Sequence, residues 1–204
     1  MLPDFYSLGH RELQDHFGTR RLADRVNEVI IHNEITDEDK AFIESRDFFF
    51  LATVDERGHP QCSYKGGDPG LVRVVDKNTV AFPSYDGNGM FLSMGNMRST
   101  GQVAMLFIDF ENPHRFRLNG TASIRLDDEL LSEYYEAQLI VRVKVREMFI
   151  NCPRYIHRFK KIEHSVYVPK TTCETPLPDW KKLDVVQDVL PEADRRKIKA
   201  QQPG

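Results

Sequence analysis

From Phe48 onward the apolar and polar residues of this 204-residue chain fall into short runs with a period near two, punctuated by glycine, proline and aspartate. Such runs predict strands, whose successive side chains point to opposite faces. FFFLATV (48–54), a charged turn over residues 55–59 carrying Gly58, and PQCSYK (60–65) predict a first hairpin. Beyond a loop at residues 66–70, LVRVV (71–75), a turn at 76–78 and TVAF (79–82) predict a second. VAMLFIDF (103–110) and RFRLNGTASIRL (115–126) read as the next two strands, joined through Glu111, Asn112 and Pro113. QLIVRVKVREMFI (138–150) alternates apolar and basic residues in its middle, the pattern of a half-exposed strand.

The helical period appears on either side of these runs. Leu22, Val26, Val29 and Ile30 recur at spacings of three and four behind Thr19, a suitable N-cap. Thr36 starts a second helix: Asp37, Glu38 and Asp39 set negative charge in its first turn, and Phe42 and Ile43 supply its buried face. The stretch MFLSMGNM (90–97) reads as a helix, as do residues 127–136 behind Asp127, Asp128 and Glu129, and a short segment from Pro153 to Phe159. The tail from Pro169 is partly irregular, with a charged helix expected over 194–201.

About six strands in hairpin order over some 120 residues, with one helix after the fourth, predict a mainly β fold. The architecture expected is an antiparallel β-barrel with flanking helices. A doubly wound sheet needs regular strand and helix alternation, which the first four strands lack. The expected organisation is a helical lead-in over 1–45, a barrel domain over 46–168 and a tail over 169–204.

Charge and composition narrow the function. Acidic residues outnumber basic ones 31 to 28, a net charge of −3, so no global positive field holds the chain to nucleic acid or anionic lipid and any anion must be caught locally. The densest apolar run, 48–54, has the length of a strand and falls far short of the roughly 20 residues that span a bilayer. The amino terminus has neither basic leader nor apolar core, so a cytoplasmic protein is expected. The three cysteines, Cys62, Cys152 and Cys173, form neither a disulfide framework nor a zinc pair, and the seven histidines lack metal-ligand spacing. Neither GxSxG nor HExxH occurs.

Three groups of residues can carry chemistry. Gln61, Ser63 and Lys65 share one strand face and Cys62 and Tyr64 the other. The first three form a polar stripe ending in a lysine at a glycine loop, suited to a polyhydroxylated, phosphorylated ligand and equally readable as a solvated strand face. Ser84 through Met90, with Asn88 and Gly89, runs from a strand into a helix start, where backbone N–H groups and the helix dipole can hold an anion. A plain turn and helix cap fits that stretch as well. Finally Arg115 and Arg117 share one strand face, as do Arg142, Lys144 and Arg146, with Arg154 and Arg158 beyond; such stripes are also ordinary wet sheet faces.

The run FLATVDERGHPQCSYKGGDPGLVRVVDKNTVAFPSYDGNGMFLSMGNM, followed by LFIDF and RFRLNGTA, resembles the pyridoxamine 5'-phosphate oxidase-like flavoproteins, the FMN-binding split-barrel family. The likeness spans roughly residues 42–168. It implies a six-stranded antiparallel split barrel, a homodimer, and FMN in clefts at the subunit interface. By the same resemblance Gln61, Cys62, Ser63, Tyr64 and Lys65 line the flavin, Pro83 and Ser84 flank the ribityl chain, and Asn88, Gly89 and Met90 stand where the family binds the phosphate. Arg115 falls near a flavin-touching position, and Asn151 to Arg154 reach in from the other subunit.

Two departures bear on activity. Where vitamin B6 oxidases carry a Ser-Arg-Lys phosphate clamp this chain has Asn88, Gly89 and Met90, and their carboxy-terminal Arg-x-His element has no counterpart. The resemblance therefore implies an FMN-dependent oxidoreductase acting on a small organic substrate other than pyridoxamine phosphate. A non-catalytic flavin-binding protein, or a split barrel using deazaflavin or haem, is the alternative. No general acid or base is assigned.

Overall fold

The structure is a computed structural model that describes residues 5–201. Residues up to 161 form one compact unit and residues from 162 a second.

The first unit is built on a single seven-stranded antiparallel sheet. Its strands are β1 (Phe48–Val54), β2 (Pro60–Gly66), β3 (Arg73–Asp76), β4 (Thr79–Ser84), β5 (Gln102–Asp109), β6 (His114–Arg125) and β7 (Leu139–Asn151). They lie in the order β2-β1-β5-β6-β7-β4-β3, a split-barrel arrangement that is not closed, with β2 and β3 as its edges. All seven runs read as strands form, one more than the six of the expected barrel; β3, read over 71–75, is a four-residue edge strand over Arg73–Asp76 with a register shift between Val74 and Asp76.

One face of the sheet carries the core. Phe49 and Leu51 of β1, Val80 and Phe82 of β4, Val103, Met105 and Phe107 of β5, Phe116 and Leu118 of β6, and Val141 and Val143 of β7 are buried together there. We call this the inner face. At the β6–β7 register shift Gly120 lies so close to β7 that a Cβ would stand 2.3 Å from the Lys144 carbonyl oxygen. The bulge is therefore reserved for glycine.

Helices α1 (Leu8–His16), α2 (Arg20–Val29) and α3 (Asp37–Glu44) precede the sheet. Thr36 caps α3 in a reciprocal box, its hydroxyl accepting from the Asp39 N–H while the Asp39 carboxylate accepts from the Thr36 N–H. Ile43 is fully buried, and Phe42 packs against the core. Helix α2 forms behind Thr19 as expected, yet Leu22 and Val29 are 64% and 62% exposed and its one buried residue is Asn27.

Two expected helices are absent. Residues 127–136 form only a 3₁₀ turn over Glu129–Glu133, because Asp128 caps Leu130 and Tyr134 is drawn inward, its hydroxyl donating to the Gly70 carbonyl. Glu136 then turns left-handed at φ 59°. Residues 153–159 make one turn, the Ile156 N–H donating to Pro153, and are then pinned to the β5–β6 connection. There the Phe159 N–H donates to the Phe110 carbonyl and Arg158 to that of Glu111.

The second unit contains a 3₁₀ turn (Asp179–Lys182), α5 (Asp184–Gln187) and α6 (Glu192–Gln201), the last close to the expected terminal helix. Its buried Lys181 ammonium pairs with Asp194 at 2.8 Å, and Leu177 and Leu190 are buried within it.

Candidate functional site

The site is best built from β2. Cross-strand partners share a sheet face, and β2 pairs with β1 as Thr53↔Gln61, Leu51↔Ser63 and Phe49↔Lys65. Since Phe49 and Leu51 point into the core, Gln61, Ser63 and Lys65 lie on the inner face, at the edge where the core opens. Lys65 is half-buried, and loss of water pushes its pKa below the ordinary lysine value. Among the described residues no hydrogen-bond or ion-pair partner meets its ammonium.

Helix α4 (Leu92–Thr100) covers this face and is fixed to it by polar contacts. The Ser93 and Ser63 hydroxyls are 3.2 Å apart, the buried Asn96 amide donates to Thr53 Oγ1 at 3.1 Å, and Thr100 Oγ1 donates to the Val54 carbonyl at 2.9 Å. Ser93, Asn96 and Thr100 recur at three and four, so one stripe of the helix makes all three contacts. Sequence reasoning did not nominate these residues, although their spacing inside LSMGNMRST is the signal that identifies them. Met94 and Met97 enter the core from the same helix.

Ser84 ends β4 on the inner face, opposite Leu139, and leads into the loop that starts α4. In that loop Asn88 Oδ1 accepts from the Met90 N–H at 3.1 Å, Gly89 turns at φ 77°, and Phe91 at φ 49° precedes the first helical residue. Asn88, Gly89 and Met90 are exposed and bring no cation. What they offer an anion is backbone N–H and the amino end of a nine-residue helix. Tyr85, next to Ser84, packs against the core, and burial together with the charge of Asp68 pushes its phenol up to about 12.

The remaining expected site residues lie elsewhere. Cys62 and Tyr64 occupy the outer face of β2, with Tyr64 stacked on Phe48 at 5.5 Å. Pro83 is buried and faces the same side as Ile140 of β7. Arg115 pairs with Ile108 of β5 and Asn151 of β7, all on the outer face. Its Nε is buried and without a hydrogen-bond partner among the described residues. Arg154 is exposed, its guanidinium 5.3 Å from the centre of the Tyr155 ring. One chain therefore gathers Gln61, Ser63, Lys65 and Ser84 on the face covered by α4, and holds Arg115 and Asn151 on the other.

Among the described residues no group of histidine, cysteine or acidic side chains can hold a metal ion, and no helix is long and apolar enough to cross a membrane.

A family profile described as pyridoxamine 5'-phosphate oxidase matches residues 35–157, more than half of the chain. No curated protein matches. Among solved structures, HupZ of Group A Streptococcus is 22% identical over 57% of this chain and 93% of that one, with a TM-score of 0.46. An FMN-binding protein from Syntrophomonas wolfei is 11% identical over 69% of this chain and 97% of that one, TM-score 0.46. HutZ, the heme storage protein from Vibrio cholerae, is 19% identical over 57% of this chain and 94% of that one, TM-score 0.43. At such TM-scores these likenesses bear on neither ligand nor reaction.

Proposed function

Since this chain belongs to the pyridoxamine 5'-phosphate oxidase family, we propose that it is an FMN-binding flavoprotein. In this reading it is a cytoplasmic homodimer that moves electrons between FMN and a small organic substrate. The observation that carries the proposal is the polar stripe Gln61, Ser63 and Lys65, aligned on the inner face beside the amino end of α4.

The residues suit the group chemically. FMN needs donors along its ring edge and ribityl hydroxyls and positive potential at its phosphate. The stripe supplies an amide, a hydroxyl and an ammonium at spacings of about 7 Å. Lys65 has lost part of its hydration and has no acid to replace it, so an anion nearby offsets that cost. Arg115 carries a buried donor in want of an acceptor, which a ligand on the outer face meets. Because Lys65 and Arg115 stand on opposite faces, each flavin takes one from each subunit of the dimer. Asn151 and Arg154 accompany Arg115, and Ser84, Pro83 and the Asn88–Met90 turn accompany Lys65.

When bound, FMN supplies the electron and hydride transfer. The chain supplies position: α4, fixed through Ser93 and Asn96, sets the phosphate end against the stripe, and Lys65 or Arg115 stabilises negative charge at the ring edge. The site residues proposed here all fall within the sequence range 46–168. The absent Ser-Arg-Lys clamp and Arg-x-His element argue against pyridoxamine phosphate as substrate.

One observation favours a second reading. The 86–91 loop brings no cation to the phosphate, which suits a protein that binds flavin without turning it over. Mass spectrometry of the small molecule released on denaturation, followed by turnover assays with NAD(P)H and an artificial acceptor, separates the two. FMN with turnover supports the oxidoreductase, FMN without turnover the binding protein, and a haem or deazaflavin removes both.

A further inference from the structure

We infer that the α1–α2 hairpin is an arm by which one copy of the chain holds a second, with α2 seated on the outer face of β1 and β5 of the other copy; this rests on the homodimer of the reading above and names where its copies meet. The hairpin is built inside out. Polar contacts join its two helices: Arg11 pairs with Asp24 at 2.6 Å, Arg20 pairs with Asp15, and the Tyr6 hydroxyl donates to the Ala23 carbonyl at 2.9 Å. Arg20, Ala23, Asp24 and the buried Asn27 thus share the inward face of α2. Leu22, Val26 and Val29, at spacings of four and three, fall on the opposite side, where Leu22 and Val29 are more than half exposed. On α1 and its cap, Leu13 and Phe17 are exposed in the same way, away from Arg11 and Asp15. A helix pair that spends its polar groups on itself and turns its apolar stripes outward is built to be covered.

A matching surface lies on the same chain. An antiparallel sheet with a solvated outer face alternates apolar with polar residues, whereas a continuous apolar run calls for cover on both faces. Strand β1 reads FFFLATV: Phe49 and Leu51 enter the core, while Phe50, Ala52 and Val54 point outward. Beside them on β5 stand Leu106, Ala104 and Ile108, and all six remain half-buried. Helix α4 covers the inner face and leaves this one to be met from outside. The sizes agree, since a ten-residue helix is about 15 Å long and 10 Å wide, and two strands of seven and eight residues offer a face of roughly 24 by 10 Å.

The occupant is a second copy. The arm is rooted on the outer face, where Phe5 packs edge-on against Phe149 at 5.8 Å, and Phe149 stands in register with Arg117 and Leu106. Yet Leu22 and Val29 stay exposed, so the arm leaves its own sheet uncovered and reaches that of a copy placed opposite. Ile108, at one end of the apolar patch, pairs with Arg115, the residue offered above to a flavin held by the other subunit, so the patch adjoins the shared site. Two-fold symmetry makes the contact twice. The arm, residues 8–29, lies outside the stretch 35–157 that the family profile matches, so it is an addition to the family domain.

The test measures molar mass by light scattering across a dilution series of the full chain. The wild type should be a dimer, and the double variant Leu22→Glu, Val29→Glu should dissociate at least tenfold more readily, because the contact would bury its carboxylates against apolar surface. Both positions are exposed, so its circular dichroism should match that of the wild type. Leu106→Lys on the sheet face should weaken the dimer likewise, with Ala104→Lys as the alternative should the first not fold. Mixed in equal amounts, the arm variant and the face variant should recover dimer, since one contact of the mixed pair is native and the other sets Glu against Lys. A monomeric wild type, or an arm variant that dimerises as the wild type does, overturns the proposal. A dimer lost in the arm variant but kept by both face variants sets arm against arm and overturns the seat on the sheet. FMN titration of the same samples separates this from the flavin reading: arm-dependent dimers that take up no FMN sink that reading, and a wild-type monomer that binds FMN sinks the arm and leaves flavin binding standing.

Discussion

Lys65 and Arg115 stand on opposite faces of one sheet, separated by β1 and β5. The strands that carry them are roughly 14 Å apart at about 4.8 Å per strand step, so a single flavin cannot lie against both within one chain. Subunit complementation follows. Lys65→Ala and Arg115→Ala chains should each bind FMN poorly as homodimers, and their mixed dimers should hold one intact site of two. Refolding the variants together in equal amounts should restore about a quarter of wild-type FMN sites if pairing is random. Absence of any restoration contradicts a shared site.

The hydroxyl pair Ser63 and Ser93 registers the amino end of α4 against β2. Ser93→Ala should lower FMN affinity severalfold while costing about 1 kcal/mol of stability, the net worth of one ordinary hydrogen bond. Fluorescence titration and thermal unfolding read the two effects separately. A stability loss with no change in affinity would make the contact purely structural.

Burial lowers the Lys65 pKa, and the sign of its effect differs with and without ligand. In the free protein the folded state binds fewer protons than the unfolded state between the lowered value and 10.5, so stability rises with pH across that alkaline window. A bound phosphate needs the charged ammonium, so FMN affinity should fall over the same window, and Lys65→Arg should retain it to higher pH. Affinity measured by titration at successive alkaline pH values checks this, and a wild-type profile identical to that of Lys65→Arg rules it out.

Asp128 offers a control remote from the stripe. Its carboxylate is buried, takes two hydrogen bonds from Arg142 at 2.6 and 2.9 Å, and is held by them below the usual carboxylate value. Asp128→Ala should cost roughly 2 kcal/mol, since it removes the charge-assisted hydrogen bonds to Arg142 and the cap on the Leu130 N–H while Arg142 keeps Glu129 at 2.9 Å, and should leave FMN affinity alone. The stabilisation exists above the ordinary carboxylate pKa and is lost as pH falls through the lowered one. The Tm gap between wild type and variant should therefore close in acid.

The strands were legible because they are short apolar-rich runs bounded by turn residues, continuous in FFFLATV and alternating in the middle of QLIVRVKVREMFI, and the α3 start was legible because Thr36 and Asp39 form a complete cap. Within β2 the alternation of side chains along a strand separated Gln61, Ser63 and Lys65 from Cys62 and Tyr64. Which of those faces meets the core, and which face Arg115 joins, depends on cross-strand register, and no single strand encodes that. The helices expected over 127–136 and 153–159 failed for the same kind of reason: the Tyr134 contact with Gly70 and the Phe159 contact with Phe110 are distant in sequence and override local propensity. Leu22 and Val29 show the converse, an amphipathic pattern that forms its helix without burying its apolar side in the chain.

The most direct measurement is an equilibrium titration of FMN into the ligand-free protein, followed by flavin fluorescence, in wild type and Lys65→Ala side by side. Saturable binding of one FMN per chain is expected in the wild type, with an affinity at least tenfold weaker in the variant, the loss of one charge-assisted contact to phosphate. No saturable binding in the wild type, or equal affinities in the two proteins, would contradict FMN binding at Lys65.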